Sequence, residues 1–302
     1  MKKVFILILL FFIANESFGQ ANLLNAKNPS EIGDSSESKA VSEFVDYEYV
    51  DDKDILWSKV VYEFIDLNER LNFPLLFPVN DTKYDDTRKS LWRVIRESIE
   101  NGKISEVYDS NNDNFTEASR IIGKDSTDLE ANIYKNYNIT DIYKSKYVPE
   151  SFVPREVASS ADIFGYVIKG IWYFDKIHAE LRYRLLAIQP YGTDLKTSVD
   201  GEETETGYFW IWYPSIREIL DDHLVFNDKN NNNRVSFDEL LINRRFSSYI
   251  YKYDNVYGDR EIRDYIRQRD NESYAQWQTR IVMESERIKK EILDFEIDMW
   301  GY

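Results

Sequence analysis

The C-terminal part of the chain carries an unbroken helical repeat, which constrains the fold more than any other feature. Residues spaced by three or four positions form the repeat: Tyr274, Trp277, Ile281, Ser285, Ile288, Ile292, Phe295 and Met299. Charged residues lie off that line: Glu284, Glu286, Lys289, Lys290, Glu291 and Glu296. This pattern predicts a long amphipathic helix that docks on another surface. Its own domain is the default surface, and a partner helix is the alternative.

Two stretches in the middle of the chain alternate between apolar and opposite-face residues, as strands do. The first contains Phe164, Tyr166, Ile168, Trp172 and Phe174, and the second contains Leu181, Tyr183, Leu185 and Ala187. They predict two antiparallel strands. Gly207–Tyr213 predicts a third strand, and Pro214 suits the first turn of a short helix that runs to about Leu224.

Helical spacing is found again in the N-terminal half. One predicted helix begins near Asp54 and ends by Asn72, because Phe73 precedes a proline. Its apolar residues are Trp57, Val60, Val61, Phe64, Leu67 and Leu71. A second begins near Asp85-Asp86, places Gly102 at its C′ position, and carries Leu91, Trp92, Val94, Ile95 and Ile99. Further helices are predicted at about Ser236–Tyr253 and Arg260–Arg267. The predicted fold is α+β, with helices flanking a small antiparallel sheet and a long C-terminal amphipathic helix.

The N-terminus has the pattern of a secretory signal at residues 1–19. Lys2 and Lys3 precede the apolar run Val4–Ile13, and Ser17-Phe18-Gly19 predicts cleavage before Gln20. Residues 20–50 are polar and predict a flexible leader, either a tether or a simple spacer. The chain has no cysteine, so neither a lipid-anchored cysteine nor a disulfide is expected. Residues 51–302 are predicted to form one domain.

The charge and aromatic content limit the classes of partner. The net charge is −16, which disfavours nucleic acid and anionic membrane surfaces because both are negative. Basic protein surfaces remain suitable partners. Aromatic residues make up 15% of the chain, and either an aromatic core or a protein interface explains that content.

The sequence offers no catalytic motif. Its two histidines are His178, in a predicted turn, and His223, at a predicted helix end where a histidinium would interact favourably with the helix dipole. No nucleophile elbow, glycine-rich phosphate loop or paired-histidine zinc motif is found. The pairs Asp85-Asp86 and Asp221-Asp222 are adjacent in sequence, so their side chains are expected to point in different directions. No catalytic or cofactor-binding residue is predicted.

One loop fits a calcium-binding template in part. Residues at the template positions are Asp228, Asn230, Asn232, Arg234 (through its carbonyl), Ser236 and Glu239. Asn233 replaces the glycine that the sharp turn favours, and only two ligands carry charge. The alternative is a helix connection in which Ser236 is the N-cap and Glu239 completes a capping box. That second interpretation predicts no metal site. Asp109–Asn114 lacks an acidic twelfth residue, since Arg120 stands there, and is predicted to be a turn.

Several sequence blocks, taken in order, resemble the GldN (PorN) family. They are Ile55–Pro78, Ser90–Asp109, Trp172–Lys176, Leu185–Pro190, Phe209–Pro214, Phe226–Tyr257 and Glu284–Trp300. The resemblance implies a non-enzymatic periplasmic protein of the type IX secretion and gliding machinery of Bacteroidota. It also implies a ring with the outer-membrane lipoprotein GldK and contact with the motor protein GldM. No cofactor, nucleic acid, membrane insertion or small-molecule substrate is predicted. The alternative is a periplasmic calcium-responsive binding protein that uses Asp228–Glu239.

Overall fold

The computed structural model describes residues 44–80, 88–122, 134–135, 156–193, 205–225 and 235–300. These ranges belong to one compact unit, Val41–Tyr302. The predicted signal at residues 1–19 and the leader up to residue 43 lie outside the described residues. Within the described ranges, no helix combines the length and the apolar character that crossing a membrane requires.

Strands form ten of the elements in the described part of the chain: Ile55–Asp66 (β1), Glu106–Asp109 (β2), Arg120–Ile122 (β3), Tyr134–Lys135 (β4), Glu156–Val157 (β5), Ile163–Asp175 (β6), Glu180–Thr193 (β7), Glu205–Gly207 (β8), Phe209–Trp212 (β9) and Tyr249–Tyr253 (β10). The α-helices are Phe73–Leu76 (α1), Leu91–Glu100 (α2), Arg217–Asp221 (α3), Phe237–Ile242 (α4), Ile262–Tyr265 (α5) and Tyr274–Trp300 (α6).

An antiparallel sheet of eight strands organises the described residues, in the order β10-β1-β6-β7-β9-β2-β3 with β8 beside β7. The β6–β7 hairpin at its centre confirms the two strands predicted from alternation. The α+β class is therefore correct. The expectation of a small sheet flanked by helices is not confirmed, because the sheet has eight strands.

The first predicted helix is wrong, because residues 55–66 form strand β1. This strand pairs with β6 on one side and β10 on the other. Both of its faces are covered, so the neighbours Val61 and Tyr62 are both buried. A strand buried on both faces has apolar residues side by side, and here they also fit a helical period. Pairing with distant strands decides between the two structures.

The helix predicted at Ser236–Tyr253 is correct only in its first part. Helix α4 ends at Ile242, and Arg244 adopts a left-handed backbone conformation with φ 51°. The chain then turns back, and Tyr249–Tyr253 pairs with β1 as edge strand β10. The helix predicted at Arg260–Arg267 is confirmed in a shorter form as α5.

The second predicted helix is confirmed as α2. Ser90 is its N-cap, with Oγ accepting a hydrogen bond from Arg93 N at 3.1 Å. Gly102 follows the helix with φ +71°, as a C′ glycine does. Leu91, Trp92 and Ile95 are buried in the main core with side chains of α3 and α4. Asp85-Asp86 lies outside the described residues.

The long C-terminal helix is confirmed as α6 and docks on its own domain. Ile288 and Ile292 are buried beside Val61 of β1, and Phe295 stacks on Trp57 with ring centroids 4.6 Å apart. The one polar residue of the repeat, Ser285, is fully buried and accepts a hydrogen bond from Ile250 N at 2.8 Å. Through Ser285, helix α6 therefore provides a hydrogen-bond acceptor for a backbone N–H of the edge strand β10.

Candidate functional site

A cleft of about 590 Å³ opens on the face of the sheet opposite α6 and extends past β10 to α5 and the start of α6. Aromatic side chains line much of it, and we call it the aromatic cleft: Phe64, Tyr191, Trp210, Tyr249 and Tyr251. These residues come from β1, β7, β9 and β10. They share one face because side chains alternate along each strand and the register brings the strands together.

The rings of the cleft contact one another at edge-to-face or tilted angles. Phe64 lies between Tyr191 and Tyr249, with centroid separations of 5.5 and 5.6 Å. These geometries are favourable for aromatic pairs. Tyr249 remains 37% exposed, so part of this aromatic surface faces solvent.

A loop between β2 and β3 closes one end of the cleft through Asp113. Its carboxylate accepts a hydrogen bond from Lys252 Nζ at 2.8 Å, and its carbonyl accepts one from Lys169 Nζ at 2.8 Å. Burial disfavours the carboxylate, but hydrogen bonds from Lys252 and Tyr62 outweigh burial and lower the pKa of Asp113. Two lysine side chains, Lys252 and Lys169, therefore hold the loop through Asp113. It begins as the predicted turn, with Asp109 Oδ1 accepting from Asn111 N at 3.0 Å.

The rim of the cleft is polar, with Glu205, Glu261 and Arg263 beside the tyrosines. Burial raises the pKa values of Tyr191, Tyr249 and Tyr251, so these phenols stay neutral at physiological pH. No histidine or cysteine is among the lining residues that the structure describes. A neutral aromatic floor with a charged rim is suited to holding another molecule rather than to acid–base chemistry.

A second candidate site is a group of side chains that binds an N-terminal segment, Phe44–Glu48, which we call the strap. Three arginines bind it and form what we call the arginine clamp: Arg182, Arg184 and Arg217. Arg217 Nη2 donates to Val45 O at 2.8 Å, Arg184 Nη2 donates to Glu48 O at 2.6 Å, and Arg182 Nη1 pairs with Glu48 Oε2 at 2.7 Å.

Aromatic contacts complete the clamp. The Arg217 guanidinium lies 4.1 Å from the Tyr47 ring centroid, and that of Arg184 lies 4.9 Å from the same ring. Arg217 is itself buried and fixed by Asp238, with Nε and Nη2 at 3.2 and 3.1 Å from its carboxylate oxygens. Tyr213 Oη also donates to Asp238, at 2.8 Å. The clamp is thus pre-organised from within the domain.

The two histidines occupy structural positions. His178 lies in the β6–β7 turn, where Nδ1 is 2.7 Å from Asp175 Oδ2, and this hydrogen bond lowers the pKa of Asp175. His223 follows α3 as predicted, with Nδ1 2.8 Å from Ile219 O. Burial lowers the pKa of His223, so the expected histidinium is wrong and the ring is neutral at pH 7. In the pair Asp221-Asp222 the first residue is buried and the second is exposed.

The lowered pKa of His223 predicts a loss of stability in acid. The unfolded state binds a proton near the ordinary pKa of about 6.5, whereas the folded state binds it only at lower pH. The stability that the neutral His223 ring contributes is complete above the ordinary pKa. It decreases as the pH falls towards the lower pKa of the folded state. We expect His223→Gln to lose less stability than the wild type as the pH falls from about 7 to about 5. Urea unfolding at several pH values measures this difference, and parallel curves for the two proteins would contradict it.

The calcium-like loop is described only at its end, because Asp228, Asn230 and Asn232 lie outside the described residues. Ser236 is the N-cap of α4, and its Oγ accepts from Glu239 N at 3.0 Å. Glu239 Oε1 is 3.2 Å from Arg245 Nη2. The capping hydrogen bond to Ser236 Oγ is therefore present, while the Glu239 carboxylate pairs with an arginine. Among described residues, no group of three or more potential metal-ligating side chains is found.

Because the Glu239 carboxylate, which the template needs at its twelfth position, already pairs with Arg245, we expect calcium to have no effect on this protein. Isothermal calorimetry should give no heat with about 1 mM calcium, for either the wild type or Glu239→Gln. Heat from the wild type that disappears in Glu239→Gln would contradict this prediction and support a calcium-responsive protein.

The aromatic cleft and the arginine clamp were not predicted from the sequence. Alternation of Tyr249 and Tyr251 could have indicated the cleft if residues 249–253 had been interpreted as a strand. Arg182 and Arg184 stand two residues apart on a correctly predicted strand, which places them on one face. Their partner segment belonged to the predicted leader, and nothing in its composition indicated the contact.

The chain was compared with models of known protein families. A family model described as "Gliding motility associated protein GldN" matches residues 50–301. No curated protein matches the sequence. The matched region runs from just before β1 to the end of α6, and so includes the aromatic cleft and all three arginines of the clamp.

Proposed function

Because the chain belongs to the GldN family of gliding-motility-associated proteins, we propose that it is a non-enzymatic subunit of the type IX secretion and gliding machinery. Its partners are a GldK-like outer-membrane lipoprotein, with which it forms a ring, and a GldM-like motor protein. It works in the periplasm, at the inner face of the outer membrane, where its partners hold it. The family match over residues 50–301 carries this proposal.

The aromatic cleft supports a role in binding proteins. Tyrosine, tryptophan and arginine are enriched at protein interfaces, where a few buried aromatic anchors supply most of the binding energy. The cleft presents partly exposed tyrosines above a rigid sheet, so an incoming side chain meets a surface that is already ordered. The net charge of −16 favours basic partner surfaces. We propose the cleft as one contact surface for a partner protein.

Deletion of the gene tests the proposed function. We expect proteins bearing type IX signals to stay inside the cell and gliding to stop, and a plasmid copy should restore both. The tagged protein should also co-purify with an outer-membrane lipoprotein. Normal secretion in the deletion strain would contradict the proposal.

Complementation with variants tests the cleft itself. Tyr249→Arg places a charge and extra bulk on the cleft floor, whereas Val256→Arg makes the same replacement at a residue that is 94% exposed in a turn. We expect the first variant to reduce secretion and co-purification at least tenfold and the second to behave as wild type. Equal behaviour of the two would exclude the cleft as a contact surface.

A further inference from the structure

The charged residues around the aromatic cleft leave one carboxylate without a cation. The charged side chains among its described lining residues are Asp113, Glu205, Lys252, Glu261 and Arg263. Lys252 Nζ is 2.8 Å from Asp113 Oδ2, and Arg263 Nε is 2.5 Å from Glu261 Oε2. Glu205 is exposed and forms no ion pair with a residue that the structure describes. Its negative charge is therefore available to a cation from another molecule.

The Glu205 carboxylate lies near the tyrosine rings of the cleft. In the β7–β8 pair, Gly207 is opposite Tyr191, and residues two positions apart on a strand share a face. Glu205 therefore lies on the same face as Tyr191. Burial first, and then the charge of Glu205, raises the pKa of Tyr191. The same charge adds to burial and to the charge of Asp66 in raising the pKa of Tyr249. A cation beside Glu205 would thus lie close to both rings.

The domain itself shows twice what a carboxylate beside a tyrosine ring can bind. In each case an arginine pairs with a buried carboxylate and lies over a tyrosine ring. The two sets are Arg217 with Asp238 and Tyr47, and Arg244 with Glu63 and Tyr183. Their guanidinium carbons lie 4.1 and 4.3 Å from the ring centroids. Among described residues, no lysine or arginine lies over the rings of Phe64, Tyr191 or Tyr249. The cleft supplies the rings and the carboxylate of the same arrangement.

We propose that the aromatic cleft receives an arginine side chain of a protein partner, whose guanidinium pairs with Glu205 and lies over the Tyr191 and Tyr249 rings. This inference rests on the proposed function, which supplies the partner. Arginine fits better than lysine, because a planar guanidinium stacks on aromatic faces and can bind a carboxylate through two hydrogen bonds. The cleft volume of about 590 Å³ is within the range of about 300–1,000 Å³ that is usual for binding pockets. The net charge of −16 favours the approach of a basic segment.

Photo-crosslinking identifies the residue that enters the cleft. Benzoylphenylalanine replaces Tyr249, which is 37% exposed on the cleft floor, in the tagged full chain. In a second chain it replaces Tyr274, which lines the cleft and is 65% exposed, so that the floor stays unchanged. Each co-purified complex is irradiated, and its crosslinked peptides are sequenced by mass spectrometry. We expect a partner segment with an arginine at or next to the attachment point. A segment without arginine overturns the inference, and so does a recovered complex that gives no crosslink from either position.

Removal of the Glu205 charge tests the ion pair. Glu205→Gln keeps the size of an exposed side chain, so the fold should be unchanged. We expect the amount of partner recovered with this variant to fall about tenfold, because a hydrogen bond to a charged group is lost. Glu218→Gln is the matched control, since Glu218 is exposed in α3 and is not among the described lining residues of the cleft. It should give the recovery of the wild type. Equal recovery with the two variants would refute the pairing.

A double-mutant cycle tests whether the two groups act on each other. The arginine mapped by crosslinking is replaced by glutamine, alone and together with Glu205→Gln. If its guanidinium pairs with Glu205, the double variant should lose no more recovery than the arginine variant alone. Losses that multiply would mean that the two groups act independently, and the inference would then be wrong.

The two proposals fail in distinguishable ways. If the protein co-purifies with the lipoprotein but the crosslinked segment contains no arginine, the arginine site is wrong and the proposed function stands. If secretion is normal in the deletion strain and no complex is recovered, the proposed function is wrong and the arginine site is wrong with it.

Discussion

Arg244→Met is expected to lower the free energy of unfolding by about 3–5 kcal/mol, because it leaves a buried carboxylate without its partner. Glu63 is 1% exposed and lies in β1. Its Oε2 accepts from Arg244 Nη2 at 2.7 Å and from Ser248 Oγ at 2.5 Å. The Arg244 guanidinium also lies 4.3 Å from the Tyr183 ring centroid. Urea unfolding followed by tryptophan fluorescence measures the loss.

The next residue provides a matched control. Arg245 is 54% exposed and pairs with Glu239 at the surface, so Arg245→Met should change stability by less than about 1 kcal/mol. A second variant tests the cause. Replacing both members of the buried pair, in Arg244→Met with Glu63→Leu, should recover most of the stability, since no charge is then left unpaired. Failure of the double variant to recover would show that the arginine acts mainly through its aromatic contacts.

Ile288→Asp is expected to release α6 from the sheet, at a cost of about 4 kcal/mol or more. Ile288 is fully buried on the inner face of the helix, beside Val61 and Ile292. No partner is placed there for a carboxylate in the described core. Released α6 should become sensitive to limited proteolysis, and the amide of Ile250, which donates to Ser285 Oγ, should exchange its hydrogen faster.

The outer face of the same helix supplies the control for this prediction. Leu293 is 53% exposed, so Leu293→Asp introduces the same charge without entering the core. We expect its stability to remain within about 0.5 kcal/mol of the wild type and its proteolysis pattern to be unchanged. Comparable loss in both variants would mean that charge on α6, rather than burial, controls its docking.

The elements that the sequence predicted correctly are those with strong local patterns. The hairpin β6–β7 is formed by two neighbouring runs of alternating residues, and α2 and α6 repeat at helical spacing with recognisable ends. Such elements depend mainly on contacts close in sequence. Periodicity therefore suffices to predict these elements. It also placed the polar residue Ser285 correctly on the buried face of α6.

The errors share a different physical cause. Strand β1 is central and has apolar residues on both faces, so its pattern does not distinguish strand from helix. Residues 249–253 come soon after helix α4 and form strand β10 because they pair with β1. Tertiary pairing overrides local preference at both positions. The aromatic cleft could not be predicted for the same reason, since its rings meet only after these distant strands pair.

The pairing of β1 with β10 also sets the order in which the chain folds. Val60 N of β1 donates a hydrogen bond to Asp254 Oδ2, 194 positions later, and Glu63 Oε2 accepts one from Ser248 Oγ across 185 positions. Closing such long loops slows folding, because the chain loses entropy before the contact forms. A chain that emerges N-terminus first therefore holds β1 with one side open until almost all of it has been delivered. The sheet is therefore completed late in synthesis. A chaperone that protects β1 would matter most just before β10 is available to pair with it.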